Sequence, residues 1–217
     1  MDLKSKIILV YGPTASGKSE FAIKLAKKIN GEIINADSIQ IYKELKILSA
    51  RPFLKNQKKI KNDLYGFQSV KKNFSTGEWL KLANKQILDC KKRKKVPILV
   101  GGTGLYFKAL TDGLVNIPSI PIKLRKKIRL LHDKIGSKNF FLKLIKLDPL
   151  VINNINPSDT QRSIRAYEIK LFTNKSMYEW FNKTKSKYEK EDFYKIYIDF
   201  PRKELLERIS LRAHEMI

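Results

Sequence analysis

A single cysteine, Cys90, occurs in 217 residues. That excludes an internal disulfide and any Cys-rich metal site, and it suits a reducing cytoplasm. Long apolar runs are missing too: no stretch reaches about eighteen residues, so no membrane-spanning helix is expected and composition predicts a soluble protein. The apolar stretch behind residues 1–6 is cut short by Gly12 and Pro13, too soon for a secretory signal. Acidic charge is scarce, with 21 Asp and Glu against 45 Lys and Arg and a formal net charge of +24. Such an excess points to a polyanionic partner, because counterion release makes nucleic-acid binding strong and salt-sensitive. Yet only nine of the basic residues are arginine, and a chain rich in Ile and Asn also gathers lysine on solvated surfaces through AT-rich codon usage. Charge alone does not decide between the two. The basic run 91–95 reads by the same logic as a solvated helix end.

What is present begins with "VYGPTASGKSEFA", Val10 to Ala22. The pattern G-x-x-x-x-G-K-[ST] is filled by Gly12, Pro13, Thr14, Ala15, Ser16, Gly17, Lys18 and Ser19, with an apolar strand before it and helical spacing (Phe21, Leu25, Ile29) after it. Glycines let successive N–H groups and the helix N-terminus converge on an anion, the lysine adds a mobile positive charge, and the Ser19 hydroxyl is the magnesium ligand of such loops. Residues 32–36 read as a second buried strand with Asp37 just past its end. "FSTGEWLKLANKQILDCKK" opens on a capping box, Ser75 and Glu78, and spaces Trp79, Leu82 and Ile87 as a helix does. Residues 96–100 form a further strand that "GGTG" turns into another helix. Alternation of this kind predicts an α/β fold: a P-loop core with a parallel sheet flanked by helices. Ligands gather at the carboxyl ends of such strands, which puts loop 12–19, Asp37 and Thr103 at one edge.

From about residue 115 the strands stop and helical spacing takes over (Leu124, Ile128, Leu131, Ile135; Phe141, Leu144, Ile145; Ile164, Tyr167, Ile169, Leu171). The expected organisation is a core over 1–114, a helical insertion domain over 115–192, and a return to the core over 193–217 with Pro201 opening the last helix. That helix carries no stop signal before Met216 and Ile217, so a truncated core with an exposed apolar strip is expected.

Five blocks in order, "GPTASGKS" (12–19), "NADSIQIYK" (35–43), "PILVGGTGLYFKAL" (97–110), "NPSDTQRSIRAYEI" (156–169) and "RISLRAHEMI" (208–217), resemble those of the bacterial tRNA dimethylallyltransferases. The resemblance implies transfer of a dimethylallyl group from dimethylallyl diphosphate to N6 of adenosine 37 in tRNAs reading codons that begin with U. The loop would then hold the diphosphate of a prenyl donor, with Mg2+ on Ser19 and without any need for ATP. Asp37 matches the family's general base, Arg212 its diphosphate-binding arginine, and Thr103 a threonine at the boundary of the two substrates. By the same match Ser38, Ile39 and Gln40 line the flipped adenine, while Gln161, Arg162, Ser163, Ile164 and Arg165, with Arg125, contact the tRNA. The expected partners are the tRNA anticodon stem-loop and dimethylallyl diphosphate, with no membrane and no second subunit.

The residues support this chemistry independently. An exocyclic amine is a poor nucleophile, so a nearby carboxylate should take its proton during attack, and Asp37 stands where that is needed. By position alone Asp37 also fits an N-cap or a magnesium-side carboxylate, as in nucleotide kinases. A stacked base must turn out to reach it, and single-stranded loops are where RNA sequence is read. The segment 61–70 lacks the paired histidines common in the family; His132 and His214 do not replace them. A metabolite kinase, a free-nucleotide prenyltransferase and a non-catalytic tRNA-binding form remain competing readings. The kinase would need a second magnesium-binding carboxylate where this chain has "LVGGTG".

Overall fold

A computed structural model describes residues 3–52, 60–181, 184–214 and 216. Ile217, used above in reading the chain end, lies outside the described residues. The chain forms two compact units, one of Met1–Gly113 with Ser186–Ile217 and one of Leu114–Lys185.

The first unit is built on five parallel strands: β1 (Ile7–Tyr11), β2 (Gly31–Asn35), β3 (Asn62–Asp63), β4 (Val96–Gly101) and β5 (Phe193–Tyr197), in the order β3-β2-β4-β1-β5. β1, β2 and β4 are buried at nearly every position because helices cover both faces; β1 and β4 are almost wholly apolar, while β2 buries Glu32 and Asn35 among its apolar residues. On one face α1 (Lys18–Ile29) lays Ala22 and Ala26 over Ile8, Val10, Ile33 and Ile98. On the other, α2 (Thr76–Lys92) and α3 (Gly104–Thr111) set Trp79, Ala83, Tyr106 and Leu110 against Ile7, Leu9, Ile34 and Leu99. Trp79 is fully buried and stacks on Tyr106 with centroids 4.2 Å apart. Removing such a side chain costs roughly 3–5 kcal/mol. The capping box opens α2 as the spacing predicts: Ser75 Oγ accepts from Glu78 N–H at 3.2 Å, and Glu78 Oε2 accepts from Ser75 N–H at 2.7 Å.

Three features of this unit differ from the sequence reading. β3 was not foreseen; two polar residues pair with Ile33 and Ile34 without any apolar signature of their own. Segment 186–192, read as part of the insert, groups with the sheet unit: Ser186 Oγ donates to the Leu110 carbonyl at 2.7 Å, and Tyr188 packs edge-on against Phe193. The basic run 91–95 is not wholly solvated, since Arg93 forks onto the buried Glu32 carboxylate at 3.1 and 2.6 Å.

The second unit is helical: α4 (Ile122–Leu147), broken at Gly136, then α5 (Thr160–Thr173) and α6 (Met177–Phe181). Ile128, Phe140, Leu144, Val151, Ile164 and Ile169 form its core. Leu171, read with that apolar stripe, is instead 44% exposed. The closing helix of the first unit, α7 (Arg202–His214), buries none of its residues fully and shows Leu206, Ile209 and Leu211 to solvent. Among the described residues no helix is long and apolar enough to cross a membrane.

Candidate active site

Between β1 and α1 the chain must reverse within a few residues. Ala15 (φ 62°) and Gly17 (φ 83°) do this in left-handed conformations, and Gly17 serves as the N-cap of α1 without a side chain to satisfy the helix's first N–H groups. Those donors, with the helix dipole, favour an anion. Ser16 supports that reading: its Oγ is buried without a hydrogen-bond partner among the described residues. Lys18 folds back so that Nζ donates to the Pro13 carbonyl. Burial holds its ammonium below its ordinary pKa, the Asp37 carboxylate opposes that shift, and the Arg212 guanidinium adds to it.

Asp37 leaves β2 under tight control. Asn35 is fully buried; its Oδ1 accepts from Asp37 N–H at 3.1 Å while its Nδ2 donates to the carbonyls of Asp37 and Leu64, each at 3.0 Å. Asp37 Oδ1 accepts from the N–H groups of Ile39 (2.9 Å) and Gln40 (3.3 Å). Among the described residues no hydrogen bond reaches Oδ2. The capping and general-base readings of Asp37 are therefore compatible, one oxygen ordering the following turn and the other left open. Gly101, at the end of β4, makes this close approach possible: a Cβ there would lie 2.0 Å from the Ala36 carbonyl oxygen and 2.7 Å from Asp37 N.

Thr103 is the N-cap of α3 yet makes no side-chain capping bond. Its Oγ1 accepts from Ser38 N–H at 2.9 Å and donates to Ser38 Oγ at 3.2 Å, tying the ends of β2 and β4 together. Gln40 Nε2 and Arg212 Nη2 converge on one acceptor, the Ser49 carbonyl, at 3.1 and 3.3 Å. The result is a cavity of about 490 Å³ lined by residues 14–20, Asp37, Ile39, Gln40, Leu48, Ser49, Ala50, Val100, Gly101, Arg208 and Arg212. Gly12 lines a separate cavity of about 350 Å³ beside Tyr11, Phe107 and Tyr197. The sequence reading missed Arg208 and the segment 48–50. Arg208 carried a signal, since it lies one helical turn before Arg212; the segment 48–50 carried none.

The remaining residues expected at the tRNA lie in the helical unit. Ser163 and Ile164 are 3% and 5% exposed, because the periodicity of α5 turns them into its core. Their side chains face that core, and exposure falls to Gln161, Arg162 and Arg165. Arg162 and Arg165 also do not act as a pair. Arg162 bonds Asp159 at 2.8 Å, while Arg165 and Arg125 meet on Glu168 at 3.2 and 3.4 Å.

The IPP transferase family model matches residues 40–217. A tRNA dimethylallyltransferase of Pelagibacter ubique is 59% identical over all of this chain and 69% of its own length. The chain belongs to the IPP transferase family. Within that family, a tRNA dimethylallyltransferase of Rickettsia massiliae is 50% identical over 81% of this chain. A solved eukaryotic dimethylallyltransferase acting on tRNA superposes with a TM-score of 0.83 at 29% identity over 97% of this chain. The tRNA isopentenylpyrophosphate transferase of Bacillus halodurans gives 0.62, also at 29% identity, over 98% of this chain. This chain spans 48% of the Rickettsia protein, 52% of the eukaryotic chain and 66% of the Bacillus chain. The IPP transferase match begins at Gln40, so the phosphate loop and Asp37 precede it.

Proposed function

We propose that this IPP transferase moves the dimethylallyl group of dimethylallyl diphosphate onto N6 of adenosine 37 in tRNAs that read codons beginning with U. One observation carries the reading: loop 14–19, Arg212 and Asp37 face a single cavity. The anion cradle takes the diphosphate, and Asp37 Oδ2 takes the acceptor. The adenine N6 lone pair attacks C1 of the prenyl group, the C1–O bond breaks, and the N6 proton passes to Asp37. Charge that grows on the leaving diphosphate is met by the amides of 14–19, Lys18 and Arg212. Ser38, Ile39, Gln40 and Thr103 border the place where a base turned out of its stack would enter.

Magnesium fits this site as a companion of the donor rather than as a resident ion. Among the described residues no group of three or more His, Cys, Asp or Glu could hold a metal. The Ser19 hydroxyl with diphosphate oxygens is the sparse oxygen set that suits Mg2+, which would supply further charge neutralisation. A metabolite kinase would place a carboxylate at the end of β4, where Val100 and Gly101 stand. The reading makes the protein a cytoplasmic, monomeric enzyme with tRNA as its macromolecular partner, and the excess of positive charge supports that partner.

The test is Asp37→Asn in single-turnover transfer at several magnesium concentrations, with tRNA and donor affinities measured in parallel. Asparagine keeps the Oδ1 contacts but accepts no proton, so the rate should fall by about a hundred- to ten-thousandfold with both affinities kept. A rate within tenfold of the unaltered protein removes the general-base role, and rescue by magnesium moves Asp37 to the metal.

A further inference from the structure

Glu168 is a carboxylate that the chemistry above does not use. It sits on α5 at 1% exposure, between Tyr167 and Ile169 of the helical core. A buried charge is tolerated only when paired, and Glu168 is paired twice. Oε1 accepts from Arg125 Nε of α4 at 3.4 Å, and Oε2 accepts from Arg165 Nη1 of α5 at 3.2 Å. The two arginine side chains are 45% and 42% exposed. Each spends one of its five N–H donors on the carboxylate below and keeps most of the others for whatever lies above. Arg162 makes the contrast: its partner Asp159 is itself 28% exposed, and its side chain is 70% exposed.

A buried ion pair is a poor device for stability, since desolvation offsets most of the attraction. It is a good device for fixing direction. Two like charges from separate helices would otherwise repel and wander among rotamers; a shared carboxylate holds both at one spacing and leaves a net positive, two-pronged edge. Arginine forks of this kind recognise phosphate oxygens by geometry as well as by charge.

We infer that Glu168 is a positioning residue for RNA: it anchors Arg125 and Arg165 as one rigid phosphate-binding platform and contributes discrimination between a folded anticodon arm and unstructured RNA. The inference rests on the tRNA reading above and adds a device to it. Its test turns on opposite signs. Glu168→Gln removes a negative charge, so bulk electrostatics predicts tighter binding of every RNA. Loss of positioning predicts the reverse for structured RNA alone.

The experiment measures affinity by fluorescence anisotropy for an anticodon stem-loop RNA and for an unstructured strand of equal length and composition, across a salt series. In Glu168→Gln the stem-loop should weaken about tenfold, as expected for one lost charge-assisted fork. The unstructured strand should bind equally or more tightly, and dimethylallyl diphosphate affinity should not move. Should that variant fold poorly, Arg125→Lys and Arg165→Lys keep the charge and lose the fork, and they should show the same selective loss. Equal or tighter binding of both RNAs in Glu168→Gln overturns the proposal. So does stem-loop affinity in the lysine variants like that of the unaltered protein, or a parallel loss of both RNAs that follows the melting temperature. Failure of the tRNA reading itself looks different: the unaltered protein would then bind both RNAs alike.

Discussion

Gly101→Ala tests the link from backbone packing to chemistry. The added Cβ would lie 2.0 Å from the Ala36 carbonyl oxygen, 2.1 Å from its carbon and 2.7 Å from Asp37 N. Ordinary carbon–oxygen approach is about 3.3 Å, so the exit of β2 would have to move by about 1.3 Å. It has little freedom to do so. Ala36 N–H donates to Val100 at 2.8 Å, its carbonyl accepts from Thr103 N–H at 3.3 Å, and Asp37 N–H is held by Asn35. Overpacking costs roughly 1–3 kcal/mol, with about 1 kcal/mol more for each hydrogen bond released. For a chain of this size that lowers Tm by about 5–10 °C. A shift of about 1 Å in a catalytic group costs roughly a hundredfold in rate. The assay is single-turnover prenyl transfer alongside thermal melting and donor affinity, with Gly102→Ala as control. A Cβ at Gly102 meets nothing closer than Asp37 Oδ2 at 3.7 Å, so stability should be nearly unchanged. Wild-type rate and Tm for Gly101→Ala would refute the claim that this approach places Asp37.

Lys18 binds diphosphate as an ammonium whose pKa burial has lowered from 10.5, so donor affinity should begin to fall with rising pH sooner than a solvated lysine would allow. Lys18→Ala should lose that alkaline limb and about a hundredfold or more in turnover; a variant that keeps the limb assigns it to another group. Removing the exposed charges of the helical unit with Arg162→Ala plus Arg165→Ala should weaken tRNA binding and reduce its salt slope by roughly one unit per lost contact, leaving donor affinity unchanged. Unaltered affinity across the salt series would return the charge excess to codon usage.

The phosphate loop, the buried strands and the helical stretch were legible because each has a local cause: glycines and Lys18 at fixed offsets, apolar runs where both faces of a sheet are covered, and spacing near 3.6 elsewhere. Asp37 was legible because it follows a strand directly. Other parts were not, because they depend on partners distant in sequence. β3 is two polar residues that become a strand only beside Ile33 and Ile34. Thr103 is the N-cap of α3, but its hydroxyl bonds Ser38 across the sheet edge rather than its own helix. Gly101 looked like a turn residue, and its role is to admit the Ala36 backbone. Arg162 and Arg165 lie three apart on α5 yet take different partners. A carboxylate three residues beyond Arg165, buried by tertiary packing, recruits Arg165 to Arg125 and leaves Arg162 to Asp159.

The central claim is that the phosphate loop serves a prenyl donor and that the acceptor is an adenine in tRNA. It is tested most directly by incubating the protein with dimethylallyl diphosphate labelled in the prenyl group, together in separate reactions with tRNA, AMP or ATP, and locating the label by nucleoside digestion. The account predicts label on N6 of one adenosine in tRNA, diphosphate released in equal amount, and no consumption of ATP. Transfer to AMP instead of tRNA, or ATP hydrolysis or phosphoryl transfer with no label moved, would contradict it.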